Sequence, residues 1–151
     1  MSCIDVGSEV PDFELKDQNG NLVKLSSLRG KIVVLYFYPK ALTRGCTIEA
    51  VGFRDFYNEI TSLNAVVVGV SKDDVDDLKK FSEKYNLPFI LLSDLENRLI
   101  DAFCVRGFAG RARRVTFIID EKGVVIKKWD KVDPSKHAKE VVEFLRSIKR
   151  S

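Results

Sequence analysis

The sequence is poor in the residues that bind metals and that cross-link small secreted domains. It contains three cysteines and one histidine, and no two cysteines have the C-x2-C spacing of a zinc site. We therefore expect no metal ion and no bound cofactor. Three cysteines also argue against a disulfide framework, which favours an even count. A reactive thiol is the remaining option of interest.

Long hydrophobic runs and a strong net charge are missing as well. The longest apolar run, residues 32–39, is far shorter than the roughly 20 residues that cross a bilayer, and the N-terminus lacks the blocks of a signal peptide. We expect a cytoplasmic protein that binds no membrane. The net charge is +3, and the one basic cluster has no aromatic platform for nucleic acid beside it. We interpret this cluster as a solvated loop; it consists of Arg106, Arg111, Arg113 and Arg114.

The apolar pattern predicts one α/β domain over residues 1–151. Residues 32–38 and 65–71 are continuous apolar runs, which are typical of strands buried on both faces. Helical spacing at 46–62 between them predicts a βαβ unit with a right-handed crossover.

The other elements surround this unit. Asn19-Gly20 predicts a first hairpin. Further strands are expected at 89–92, 115–119 and 124–129, and further helices at 73–85, at 95–103 and from Pro134 onward. This order is that of an elaborated thioredoxin fold, with a mixed central sheet and flanking helices.

The loop after strand 32–38 is the expected position of a functional site, because ligands gather at the carboxyl ends of strands. If Thr43 caps the next helix, Cys46 lies in its first turn, where free N–H groups favour a thiolate. A free cysteine is only about 3% thiolate at pH 7. Nearly full ionisation requires roughly 4 kcal/mol of anion stabilisation, of which a helix terminus supplies about 1 to 2.

A nearby cation must supply much of the remainder, and Arg114 is our candidate. It directly precedes strand 115–119. If that strand runs antiparallel to strand 32–38, its start lies beside the other strand's carboxyl end. Side chains alternate along a strand, so only one of Arg113 and Arg114 can point at Cys46.

These residues resemble a known family. Pro39-x-x-x-Thr43-x-x-Cys46 matches the P-x-x-x-T-x-x-C signature of peroxiredoxins. Residues 36–41 and 45–50 are similar to the bacterioferritin-comigratory, or peroxiredoxin Q, branch. The stretch from Arg114 to Asp120 resembles that branch's R-x-T-F-x-I-D, which favours Arg114 over Arg113.

The resemblance implies a thiol-dependent peroxidase that reduces hydrogen peroxide and alkyl hydroperoxides. Cys46 would attack the peroxide and become a sulfenic acid, Thr43 would hydrogen-bond the thiolate and the peroxide, and Pro39 would shield the site from water. Arg114 would stabilise the thiolate and polarise the O–O bond. Glu49 is expected either to orient Arg114 or to be an exposed helix residue. The implied partners are a peroxide and an external thiol reductant such as a thioredoxin-like protein, and the chain would be a monomer or a homodimer.

Three positions depart from the branch. Leu42 stands where a polar residue is frequent, and Arg44 where proline is usual. Val51 occupies the position that in many members carries the resolving cysteine, five residues after the peroxidatic one. We therefore expect a one-cysteine cycle in which an external thiol reduces the sulfenic acid.

The other cysteines and the histidine have less defined roles. Cys104 is the alternative resolving thiol, and it would need local unfolding to reach Cys46. Cys3 is expected to be inert near a mobile terminus. His137 is expected to be structural, near the start of a surface helix.

Two other classes of function remain open. A thioredoxin-like disulfide reductase would need C-x-x-C, but Thr43 occupies the place of the first cysteine, and Val115 replaces the proline expected before Thr116. A redox-sensing interaction protein or a holdase without peroxidase turnover is the non-enzymatic alternative. Peroxide consumption by the purified chain distinguishes both from the peroxidase.

Overall fold

A seven-stranded sheet forms the centre of the molecule, as seen in a computed structural model that describes residues 2–149. The strands are β1 (Glu14–Asp17), β2 (Leu22–Lys24), β3 (Ile32–Phe37), β4 (Ala65–Ser71), β5 (Ile90–Ser93), β6 (Val115–Ile119) and β7 (Val125–Trp129). Each predicted strand is present, within two residues of its expected bounds. All six residues of β3 are buried, as expected of a central strand.

In the described part of the chain, five α-helices flank the sheet: α1 (Arg44–Asp55), α2 (Tyr57–Ser62), α3 (Val75–Tyr85), α4 (Arg98–Ala102) and α5 (His137–Lys149). The single helix predicted at 46–62 is wrong in one respect, because it is interrupted at Phe56. The last helix begins at His137, three residues after Pro134. Within residues 2–149, no helix is long and apolar enough to cross a membrane.

The sheet order is β2-β1-β5-β4-β3-β6-β7. Strands β3, β4 and β5 are parallel, and β6 pairs with β3 in the antiparallel direction. Phe37 at the end of β3 is paired with Val115 at the start of β6. The mixed sheet is confirmed, and so is the pairing that brings the residues before β6 to the carboxyl end of β3.

Apolar side chains fill both faces of the sheet. One face is covered by α1, α2, α3 and α5, and Cys46, Phe53 and Tyr36 belong to this cluster. The other face is covered by α4 and the N-terminal segment, and Phe103 and Phe117 belong to this second cluster. Cys46 and the end of α4 therefore lie on opposite sides of the sheet.

The argument against a disulfide framework does not hold for two of the three cysteines, and the expectation that Cys3 is inert near a mobile terminus is wrong. Cys3 and Cys104 are joined, with their Cα atoms 5.6 Å apart. The N-terminal segment reaches this point because Ile4 N donates to the carbonyl of Ala102, at the end of α4 (3.0 Å). Cys3 is thus held at the end of α4. Cys46 is the cysteine that stays free.

Candidate active site

Cys46 is the third residue of α1, and its side chain is almost fully buried at 1% exposure. Thr43 is the N-cap of the helix, with extended backbone, and its carbonyl accepts the first intrahelical bond, from Thr47 N (2.9 Å). The prediction that Cys46 lies in the first turn is confirmed. The unpaired N–H groups of the helix start lie in the same turn as the sulfur.

Arg114 brings a positive charge to the sulfur. Its Nη2 atom lies 3.4 Å from Cys46 Sγ, across 68 residues of sequence. Gly45 makes room for this approach, because a Cβ atom at residue 45 would lie only 3.0 Å from the same Nη2 atom. Sequence reasoning did not identify Gly45, although a glycine directly before the cysteine at a helix start was the available signal.

Glu49 lies one turn further along α1 and is completely buried. Its Oε1 atom accepts a hydrogen bond from Arg114 Nη1 at 2.8 Å. The alternative of an exposed helix glutamate is therefore wrong. Burial raises the pKa of Glu49 to about 7, although the adjacent Arg114 guanidinium opposes this shift. Arg114 thus divides its guanidinium between a sulfur and a carboxyl group.

Arg113 points away from this cluster. Its Nη2 atom donates to the carbonyl of Cys104 at 3.2 Å, and its Nη1 atom lies 3.9 Å from Asp130. The two neighbouring arginines therefore diverge, as expected for adjacent positions at the start of a strand.

Thr43 and Pro39 belong to the active-site loop, by which we mean residues 38–43. The Thr43 hydroxyl makes no helix-capping bond and instead donates to the carbonyl of Lys40 (2.6 Å). Pro39 is half-buried, and its carbonyl accepts a hydrogen bond from Arg111 Nη1 (3.2 Å). The bond from Thr43 to the thiolate and the shielding by Pro39 stay predictions.

His137 is the first residue of α5, as expected, and its side chain is buried. Nε2 lies 2.7 Å from the hydroxyl of Thr116, and Nδ1 lies 3.3 Å from Glu140 Oε1. Burial lowers the pKa of His137, although the neighbouring Glu140 carboxylate opposes this shift. Its contact with Thr116 joins the start of α5 to β6, two residues after Arg114.

Cys104 does not join the cluster. It is exposed, it lies just beyond α4 on the opposite side of the sheet, and it is bonded to Cys3. Nothing resembling a metal centre accompanies the thiol either, since residues 2–149 contain no group of three or more metal-binding side chains.

Comparison with known proteins identifies relatives that span the whole site. The AhpC/TSA family matches residues 6–128. Peroxiredoxin Bcp of Bacillus subtilis is 44% identical over 96% of this chain and 97% of that protein. The crystal structure of peroxidoxin BcpB from Mycobacterium tuberculosis has a TM-score of 0.90 at 38% identity, over 96% and 98% of the two chains.

A third similar protein is the bacterioferritin comigratory protein of Xanthomonas campestris. Its structures, described in connection with its alkyl peroxide reduction activity, match with a TM-score of 0.86 at 32% identity. The alignment covers 90% of this chain and 91% of that one.

Proposed function

Because the chain belongs to the AhpC/TSA family, as a peroxiredoxin of the Bcp and peroxiredoxin Q type, it is a thiol-dependent peroxidase, and we propose that Cys46 is the thiol that attacks the peroxide. The observation that carries this proposal is the contact of 3.4 Å between Arg114 Nη2 and Cys46 Sγ at the start of α1. The relatives favour this enzyme over the redox-sensing or holdase alternative.

The reaction moves negative charge from sulfur to oxygen. The Cys46 thiolate attacks the terminal, hydroxyl-bearing oxygen of ROOH, a sulfur–oxygen bond forms, and the O–O bond breaks. RO⁻ then leaves and takes up a proton to become ROH, and Cys46 is left as the sulfenic acid. Arg114 contacts the sulfur from which the charge departs, so its N–H groups are placed to stabilise the charge as it moves.

The Thr43 hydroxyl is suited to accept a hydrogen bond from the peroxide. Its single proton is donated to the carbonyl of Lys40, so its oxygen is available as an acceptor. A peroxide O–H that donates to Thr43 would be held beside the start of α1. The structure thus favours this role over donation from Thr43 to the thiolate.

The substrates include alkyl hydroperoxides as well as hydrogen peroxide. The activity described for the Xanthomonas campestris protein supports the alkyl class. Leu42 and Ile48 are exposed apolar residues near Cys46 in sequence, one in the active-site loop and one on α1, and they are suited to an apolar substituent.

The sulfenic acid is reset by an external thiol, such as that of a thioredoxin-like protein, in a one-cysteine cycle. Two equivalents of thiol return Cys46 to the thiol form and yield water and one disulfide of the reductant. Val51 stands on α1 where a nearby resolving cysteine would be, and Cys104 is held by Cys3 on the other side of the sheet.

The chain acts in the cytoplasm, where reduced thiols are available for this cycle. It acts as a monomer or a homodimer. The Cys3–Cys104 disulfide is unusual for that compartment. Alkylation of thiols in intact cells, followed by mass analysis, measures whether the pair is oxidised there. Light scattering of the purified chain determines the assembly.

Replacement of the nucleophile tests the proposal directly. Cys46→Ser is expected to abolish peroxide consumption in the presence of a thiol reductant and to leave the circular dichroism spectrum unchanged. Cys104→Ser is the matched control and should retain the activity. If Cys46→Ser kept as much as a tenth of the wild-type rate, the assignment would be wrong.

A further inference from the structure

A buried carboxylate from another part of the chain, that of Asp73, holds the active-site loop in place. Asp73 follows β4, and its side chain is only 2% exposed. Its Oδ2 atom accepts hydrogen bonds from the backbone N–H of Ala41 (2.8 Å) and from the hydroxyl of Ser71 (2.7 Å). One oxygen of Asp73 thus fixes the middle of the active-site loop against the end of β4.

The other oxygen of Asp73 acts through an arginine. Arg111 Nη1 lies 3.3 Å from Asp73 Oδ1 and 3.2 Å from the carbonyl of Pro39. The same carboxylate is therefore linked to two backbone groups of the loop, the N–H of Ala41 directly and the C=O of Pro39 through Arg111. Hydrogen bonds in which both partners are charged are stronger than neutral ones, and here the half-buried Arg111 forms such a bond with the buried Asp73.

Arg111 is itself placed by a folded segment, residues 105–113, which we call the basic loop. Gly107 N donates to the carbonyl of Arg111 (2.6 Å), and Arg113 N donates to the carbonyl of Val105 (2.7 Å). The interpretation of the basic cluster as merely solvated is therefore wrong for Arg111. Its neighbour Arg106, by contrast, forms an exposed ion pair with Asp101.

The active-site loop needs such support because its backbone is strained. Leu42 has a φ of 68°, in the left-handed region that favours glycine. The next residue, Thr43, is tied to Lys40 within the loop, so a shift of the loop displaces its hydroxyl. A displacement of about 1 Å at a reacting centre lowers rates by up to about 100-fold.

We propose that Arg111 and Asp73 are positioning residues for the peroxide step, acting through the active-site loop. They set the place of Pro39 and Thr43 relative to Cys46, and the proposal rests on the assignment of Cys46 as the nucleophile. Both residues act on the loop backbone, whereas Arg114 contacts the sulfur. We call the Asp73–Arg111 pair, with its contacts to Ala41 and Pro39, the brace. Loss of the brace should therefore slow the reaction with peroxide but leave the formation of the thiolate unchanged.

Two reactions of Cys46 separate these effects. Oxidation by one equivalent of hydrogen peroxide requires the active-site loop to be correctly positioned beside Cys46. Alkylation by iodoacetamide depends only on the thiolate and its accessibility. Both are followed on the Cys46 peptide by mass spectrometry. Arg111→Gln is the test variant, and Arg106→Gln is the matched control, because it removes the same charge from the same loop.

Arg111→Gln is expected to slow oxidation of Cys46 by about 10- to 100-fold, with alkylation changed less than about threefold across pH 5 to 9. Arg106→Gln should leave both rates unchanged. Asp73→Asn should change the oxidation and alkylation rates in the same way as Arg111→Gln. The double variant should be oxidised no more slowly than the slower single variant, because both residues act through the same contacts to the active-site loop.

Oxidation of Arg111→Gln at the rate of Arg106→Gln would overturn the proposal, and so would an equal loss of oxidation and alkylation. If Asp73→Asn does not fold, the Arg111 comparison still decides. A wild-type Cys46 that peroxide does not oxidise would instead refute the assignment of the nucleophile.

Discussion

At the scale of single residues, the site depends on the two contacts of the Arg114 guanidinium, one to Cys46 and one to Glu49. Nη2 faces the Cys46 sulfur and Nη1 binds the Glu49 carboxyl group. The motif residues of this cluster could be predicted from the sequence, because the helix start and the antiparallel strand pairing dictate them. Asp73 and Arg111 could not, because they pair with each other across 38 residues of sequence and hold the active-site loop through its backbone groups, which no side-chain motif reveals.

Arg114→Ala is expected to slow the oxidation of Cys46 by about 100- to 1000-fold, the usual cost of removing one donor to a developing charge. Stopped-flow kinetics with hydrogen peroxide provides the rate. Arg113→Ala is the control, since its side chain is directed to Cys104 and Asp130. A larger loss in Arg113→Ala would show that the assignment of the two arginines is reversed.

At the scale of elements, the sequence predicted where strands lie better than where helices begin and end. The apolar spacing continues across Phe56, and no glycine or proline marks the break between α1 and α2. At α5, Pro134 lies in a turn held by Asp133, whose Oδ1 atom accepts from Ser135 N (3.0 Å) and whose carbonyl accepts from His137 N (3.0 Å). A proline that is favourable at a helix start therefore precedes the helix here.

Glu49 is buried where α1 meets the start of β6, and the burial of its carboxyl group should make stability depend on pH. The pKa of Glu49 is raised to about 7 in the folded chain, from 4.5. The folded state thus binds more protons than the unfolded state between these values, and the free energy of unfolding falls as pH rises through this window. The loss is about 3 kcal/mol, at about 1.4 kcal/mol per pKa unit.

Urea unfolding at pH 5 and pH 8 measures this effect. Glu49→Gln has no titratable group at residue 49. The free energy of unfolding of this variant, relative to that of the wild type, should therefore increase from pH 5 to pH 8. Glu143→Gln makes the same chemical change at an exposed position of α5 and should follow the wild type. Parallel pH profiles for wild type and Glu49→Gln would contradict the prediction.

At the scale of the whole molecule, the sheet separates two kinds of cysteine chemistry. Cys46 lies on the face covered by α1 and α5, and the Cys3–Cys104 disulfide lies beyond α4 on the other. The fold class could be predicted because buried strands and amphipathic helices alternate along the chain. The disulfide could not, because it depends on the N-terminal segment lying beside α4, at a sequence separation of 101 residues.

The disulfide should therefore contribute to stability and not to turnover. Closing a loop of this length restricts the unfolded chain, so Cys104→Ser is expected to lower the free energy of unfolding by about 2 to 4 kcal/mol. Urea unfolding under non-reducing conditions measures the loss, and wild type treated with dithiothreitol should show a similar one. Peroxide turnover with an external thiol should stay within about twofold of the wild type, because Cys46 is reset without Cys104.

Non-reducing mass analysis after one equivalent of peroxide distinguishes the two cycles of Cys46. In a one-cysteine cycle, wild type and Cys104→Ser both carry sulfenic acid on Cys46, and the wild type keeps its Cys3–Cys104 link. Disulfide formation needs Cα atoms within about 7 Å, so a Cys46–Cys104 link would require Cys104 to leave Cys3 and cross to the other face of the sheet. Such a link in the wild type, together with lost turnover in Cys104→Ser, would establish Cys104 as the resolving thiol and overturn the one-cysteine cycle.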